Sequence, residues 1–322
     1  MKIPFLCLLF ALSFSWLSAQ KTSHKHLVFK TIKPEKIIHT GWKGFDGSYP
    51  IIDLDDIESY FSYIPATSYT MPDASIITTP GFFMLRFEVP NMLYRMFITN
   101  LQAQGKTEEL KTALPDTNAW SGGLQPYAER YFSDRAFNAY PVVQVSRAGI
   151  HLFCTWLKDQ LPSVKLKKWK DKKIEFRLPS EAEWMVAASG GDTNAVYAWK
   201  GSYLKTTLKD FEGDYIANFR RVSDDLIIRD EKGALVVGPR DKNTVPSEYI
   251  NMNITIPVIS YWPNNYGLYN MCGNVREMVQ EEGFTKGGGW IDPGGELKIA
   301  FRNTYQKQGS PCEGFRIIAI VE

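Results

Sequence analysis

The side chains able to do covalent or metal chemistry in this sequence are few. Beyond residue 19 there are three cysteines, Cys154, Cys272 and Cys312, spaced too widely for a C-x-x-C redox or metal motif. Of four histidines, His24 and His26 fall in a polar stretch near the N-terminus, leaving His39 and His151 in the body, with no His-x-x-His arrangement. Zinc and a Cys–His nucleophile therefore have little to draw on. A non-haem iron centre needs two histidines and a carboxylate and is disfavoured for the same reason. An oxidising compartment would allow one disulfide among the three thiols, and the sequence does not choose the pairing.

These residues are carried by a chain of 322 residues, 44% apolar and 14% aromatic, with 37 basic and 35 acidic side chains. The near balance of charge and ordinary apolar content exclude extensive disorder. No long block of Lys and Arg stands out, which argues against a nucleic-acid partner. The aromatic excess points to a loop-rich domain packed around large rings. Residues 1–19 read as a secretory signal: Lys2, then an apolar stretch from Ile3 to Trp16, then Leu17-Ser18-Ala19 as a cleavage site. Cys7 lies inside that stretch and not after a small residue at its end, so no lipidated N-terminus is implied. No second run reaches the roughly 18 apolar residues of a membrane span, so no transmembrane segment is expected after signal cleavage.

Residues 20–63 show no sustained periodicity and read as an arm; residues 64–322 read as one domain without internal repeats. Phe82–Val89 predicts a strand ended by Pro90. Asn91 is placed to cap a helix showing Tyr94, Phe97, Ile98 and Leu101 on one face. Tyr140–Val145 predicts a second strand, and Ser146 caps a helix presenting Ile150, Phe153 and Leu157. His151 on that helix reads as a packed or hydrogen-bonded histidine. Ser180 and Glu183 form a capping box, and Gly190-Gly191 stops the short helix that follows.

Taken in order, these blocks resemble the formylglycine-generating enzyme family, the sulfatase-modifying factor domains. The resemblance rests on Phe87-Glu88-Val89 with Asn91, Tyr140-Pro141-Val142-Val143, Arg177-Leu178-Pro179-Ser180-Glu181-Ala182-Glu183-Trp184 and Tyr197-Ala198-Trp199. It continues through Asn265–Met271, Gly273-Asn274-Val275 with Glu277, Gly287-Gly288-Gly289-Trp290, Arg302 and Gly314-Phe315-Arg316. It implies an α+β fold of C-type-lectin-like kind, low in regular secondary structure and rich in loops. A narrower likeness in the insertion Leu114–Trp120, with Tyr131-Phe132 and Ala136-Phe137, resembles the branch found among gliding-motility and type IX secretion components of Bacteroidetes.

The family's enzyme oxidises a substrate cysteine with copper held by two cysteines, which lie between its Gly-Gly-Ser block and the Arg matching Arg302. Copper(I) favours such soft ligands. Here that stretch, Gly289–Ile299, holds no cysteine, and Gly289 stands where serine is usual. The resemblance also implies calcium. Asn270 and Glu277 match side-chain ligands and Gly273 and Val275 match carbonyl ligands of a structural calcium site, an oxygen set suited to that ion. A second calcium site would begin at Asn218 and Phe219, but its downstream aspartate would fall near Ile250-Asn251, where no acid stands.

The resulting expectation is an exported, non-catalytic sulfatase-modifying-factor-like domain in the periplasm or on the periplasmic face of the outer membrane. It would bind envelope proteins of a gliding or type IX secretion machine. The rivals are an oxidoreductase of the same family with a non-standard metal site and a lectin-like ligand-binding module. Trp184, Trp199, Trp262 and Trp290 are expected to pack, and Arg302 and Arg316 to bond carbonyls and carboxylates inside the domain.

Overall fold

The computed structural model describes residues 54–120, 127–164, 166–220, 227–232, 235–237, 254–305 and 310–322. The signal reading over 1–19 and most of the arm lie outside them, as do Asn251 and His39.

Strands β1 (Phe61–Ile64), β2 (Thr67–Thr70), β3 (Ile76–Thr79) and β4 (Phe82–Leu85) come first, followed by helices α1 (Asn91–Ala103) and α2 (Thr107–Ala113). Helix α3 (Arg147–Gln160), strand β5 (Ile174–Arg177) and helix α4 (Glu181–Ala188) occupy the middle, with a short hairpin of β6 (Ile227–Arg229) and β7 (Leu235–Val237). The C-terminal part contributes β8 (Arg276–Met278), β9 (Phe284–Lys286), β10 (Asn303–Thr304), β11 (Glu313–Phe315) and β12 (Ile318–Val321).

Two four-stranded sheets organise these pieces. The first runs β1-β4-β12-β5 with every pair antiparallel. The second runs β10-β9-β8-β11, in which β8 and β11 are parallel and place Glu277 opposite Gly314. Because β11 and β12 belong to different sheets with only Arg316 and Ile317 between them, Arg316 sits at the seam of the molecule. Among the described residues no helix is long and apolar enough to cross a membrane.

The helices form where periodicity and caps agree. Helix α1 buries Leu93, Tyr94, Phe97, Ile98 and Leu101, the face its spacing predicts. Asn91, expected as its cap, is instead the first helical residue. Its Nδ2 donates to the carbonyls of Tyr131 and Phe137, tying the 127–140 segment to the helix. Ser146 caps α3 by accepting from the Gly149 amide at 2.9 Å. The capping box at α4 is complete, Ser180 and Glu183 each accepting from the other's amide. Rings fill the space between α1, α3 and β11: Tyr94 stacks on Phe153 at 5.5 Å and meets Phe97 and Phe315 edge-on. Such pairs contribute about 0.5–1.5 kcal/mol each beyond area burial.

Three expectations are corrected. Tyr140–Val145 forms no strand: only Pro141 bridges to Pro90, and Gln144 turns into the left-handed region at φ 63°. His151 is exposed on α3, because its position falls opposite the Phe153–Leu157 face. Residues 54–63, assigned to the arm, belong to the domain: Ile57, Tyr60 and Phe61 are buried in its core and β1 pairs with β4.

Candidate functional site

The seam around Arg316 gathers the ionisable groups. Arg316 is fully buried; its Nε donates to Glu277 Oε2 at 2.8 Å and its Nη2 to Glu277 Oε1 at 2.6 Å. Two of the three remaining guanidinium hydrogens go to the carbonyls of Leu85 and Tyr269. Trp184, delivered by α4, adds its indole N–H to Glu277 Oε2 at 2.7 Å. Arg316 thus holds a carboxylate and carbonyls inside the domain, as expected of a planar fork.

A second carboxylate lies in the same seam. Glu88, wholly buried, accepts from Asn274 Nδ2 at 2.9 Å and Asn270 Nδ2 at 3.3 Å. Burial pushes its carboxyl up to about 8; Arg316 opposes the rise and Glu277 adds to it. Two ionised carboxylates against one guanidinium leave one buried negative charge, which a proton or a cation must neutralise. The side-chain Oδ1 of Asn270 accepts no hydrogen bond among the described residues, although its Nδ2 is used twice.

The loop between Tyr269 and β8 is wound to face this centre. Asn270, Gly273 and Asn274 all have positive φ, at 51°, 91° and 67°. Gly273 is required there, since a Cβ would meet the Asn218 carbonyl at 2.6 Å. That carbonyl accepts from the Asn274 amide at 2.8 Å, and Asn218 Nδ2 donates to Ile254 O and to Asn274 Oδ1. Asn218 therefore buttresses the same loop, while Phe219 is buried against Tyr215. Of the four residues matched to a calcium site, Asn270, Val275 and Glu277 are buried; Asn270 contacts Glu88, while Glu277 turns both carboxylate oxygens to Arg316 and Trp184.

Among the described residues no three His, Cys, Asp or Glu side chains form a metal-binding group. Glu88 and Asn270 Oδ1 are hard oxygen donors of the kind calcium takes, beside a Glu277 carboxylate already bonded to Arg316 and Trp184. Glu88 was missed at the sequence level. The signal was present, an acid within the apolar run Phe87-Glu88-Val89.

The stretch from Gly289 to Ile299 is held by internal contacts, with only Gly295 and Lys298 exposed. Asp292 pairs with Arg276 through both carboxylate oxygens, with Nε at 2.7 Å from Oδ2, and accepts the Gly289 amide at 2.7 Å. Leu297, at the end of a short turn (Gly294–Leu297), is fully buried. The three thiols lie outside this stretch in sequence and are all free and buried. Cys154 packs in the α3 core, Cys272 accepts from the Ala198 amide at 3.3 Å, and Cys312 contacts Ser310. Burial pushes Cys154 and Cys272 up to about 12 and Cys312 to about 11, so none is poised as a thiolate.

A neighbouring network is structural in the same sense. Buried Lys286 bonds Glu181 at 3.2 Å and lies over the Trp184 ring, and burial lowers its ammonium to about 8. Glu181 also takes a two-pronged contact from Arg302 at 2.7 and 2.6 Å, whose guanidinium stacks on Phe284. Glu183 serves as cap and as partner of Arg177.

Residues 61–320 match the family described as Sulfatase-modifying factor enzyme 1-like domain. The chain belongs to that family. It is 26% identical over 227 residues to a formylglycine-generating enzyme of Mus musculus, a match covering 64% of this chain and 50% of that protein. It is also 26% identical over 164 residues to a protein named chaperone protein LppX of Paenibacillus barcinonensis, covering 44% of this chain and 49% of the relative. The chain thus spans about half the length of these curated relatives. Among solved structures, PvdO from Pseudomonas aeruginosa superposes with a TM-score of 0.50 at 19% identity, covering 80% of this chain and 93% of that one. The fold is the loop-rich α+β fold of the sulfatase-modifying factor domains.

Within that family, the two copper-binding cysteines have no counterpart here. The stretch that carries them in the enzyme contains an ion-paired aspartate and a buried leucine. Copper(I) held by two thiolates does not fit these residues.

Proposed function

We propose that this chain is a non-catalytic member of the sulfatase-modifying factor family, exported to the periplasm or the periplasmic face of the outer membrane. There it serves as a structural or binding component of an envelope machine of the gliding or type IX secretion kind. The observation that carries the reading is the cysteine-free stretch from Gly289 to Ile299, in which Asp292 is paired with Arg276 and Leu297 is buried. The insertion from Leu114 to Phe137 supports the narrower assignment through its likeness to that branch.

The same reading includes a structural calcium. Glu88, Asn270 and Glu277 would supply side-chain oxygens and Gly273 and Val275 main-chain oxygens. Its support is the uncompensated buried charge of Glu88 and the undonated oxygen of Asn270. Calcium there neutralises charge at the seam and fixes the Asn270–Glu277 loop; it takes part in no reaction.

The test of the assembly role is crosslinking in the native envelope followed by pull-down of the full chain. Stoichiometric recovery of outer-membrane secretion or motility proteins supports it. Recovery of the chain without envelope partners removes it.

A further inference from the structure

The turn joining α3 to β5 carries the densest charge in the protein. Lys167, Lys168, Lys170, Lys172 and Lys173 fall within seven residues, while the whole chain has a net charge of only +2. The lysines are separated by Trp169 and Asp171, and folding brings them onto one exposed turn.

The turn is rigidly held. Glu58 accepts the amides of both Lys167, at 2.8 Å, and Trp169. The Trp169 ring is buried against Phe61, Phe83 and Phe176. Asp171 takes the left-handed conformation at φ 61°, the Lys172 amide closes onto the Trp169 carbonyl at 3.1 Å, and Lys173 pairs with Glu322 through both main chains. With Trp169 drawn inward, all five lysines are exposed. Lys167, Lys168, Lys170 and Lys172 make no ion pair among the described residues; only Lys173 has one, with Glu322 at 3.3 Å. Seven residues span at most about 24 Å fully extended, so these charges lie within a few screening lengths of one another.

Beside this turn an aromatic side chain faces solvent. Tyr63 on β1 is 56% exposed and contacts Phe83, which in turn contacts Trp169. A cluster of lysines next to an exposed tyrosine combines long-range attraction to anionic headgroups with a ring suited to the headgroup depth.

We infer that the Lys167–Lys173 turn, with Tyr63, is a docking surface for an anionic phospholipid bilayer. The chemistry favours lipid over nucleic acid. The turn has lysines and no arginine, so it offers point charges and not the forked donors that read bases and phosphates two at a time. It also presents no helix or ribbon to enter a groove. This surface goes beyond the proposed role, because it concerns where the domain sits and not which proteins it binds.

The test is co-sedimentation of the full chain with vesicles of phosphatidylcholine alone and of phosphatidylcholine with 30% phosphatidylglycerol. It is compared with a variant carrying Lys→Gln at 167, 168, 170 and 172. The expected result is binding to the anionic vesicles at low salt that falls by at least about 50-fold in the quadruple variant and weakens steeply with added salt. Tyr63→Ser weakens it several-fold. Circular dichroism checks that both variants remain folded, and the single variants Lys168→Gln and Lys170→Gln replace the quadruple one if it does not. Equal binding by parent and variant overturns the proposal. So does equal binding to neutral and anionic vesicles, or retention of a DNA duplex without retention of anionic vesicles.

Discussion

Arg316 and Glu277 meet in two parallel hydrogen bonds, 2.8 and 2.6 Å long, with neither side chain reaching solvent. They join the centre of β8 to the two-residue link between β11 and β12, and Arg316 also donates to the Leu85 carbonyl at the end of β4, so this guanidinium ties the two sheets together. Removing one partner leaves a buried charge unpaired. Arg316→Met is expected to cost about 3–5 kcal/mol in denaturant unfolding.

Lys286→Met makes the contrast. Glu181 keeps its two-pronged Arg302 contact when the lysine is lost, and a buried ammonium depressed to about 8 carries its own desolvation cost. The loss is expected to be under about 1.5 kcal/mol, or a small gain, in the same unfolding experiment.

Calcium is expected to raise the melting temperature of the purified chain, and Glu277→Gln to abolish that rise. Glu88→Gln should weaken it. An equal calcium-dependent rise in parent and Glu277→Gln removes the ion from the seam.

Without calcium, Glu88 gives the protein a pH signature. Its folded carboxyl is raised from the ordinary 4.5 to about 8 by burial, so the folded state holds a proton that the unfolded chain releases. Its contribution to stability is fully present below about pH 4.5 and is lost as pH rises toward 8. In chelator, parent stability should therefore fall between pH 5 and 8 more than that of Glu88→Gln. Added calcium should shrink the difference.

The α-helical parts of this fold are legible in the sequence because their signals are local. The Tyr94–Phe97–Ile98–Leu101 face, the Ser146 cap and the Ser180–Glu183 box each lie within one or two turns of chain. The second sheet is not legible: β8 and β11 are three residues each and pair across more than thirty positions. Tyr140–Val145 has strand composition but lacks a strand partner, being pinned by one bridge and the turn at Gln144. The loop Asn270–Glu277 was legible only through its resemblance to a known pattern. Glu88 joins it from 182 residues away in sequence, a distance no local pattern crosses. The lysine turn is not legible as a basic block because Trp169 and Asp171 interrupt the run, and only folding turns Trp169 inward.

The proposed absence of the family's oxidation is read out directly by a single assay. The full chain is reconstituted with copper(I), given a cysteine-containing sulfatase peptide and oxygen, and the product mass is read for the loss of sulfur that accompanies aldehyde formation. The expected product is the peptide recovered with its cysteine intact. Copper-dependent formation of the aldehyde, lost in Cys272→Ala or Cys312→Ala, would contradict it.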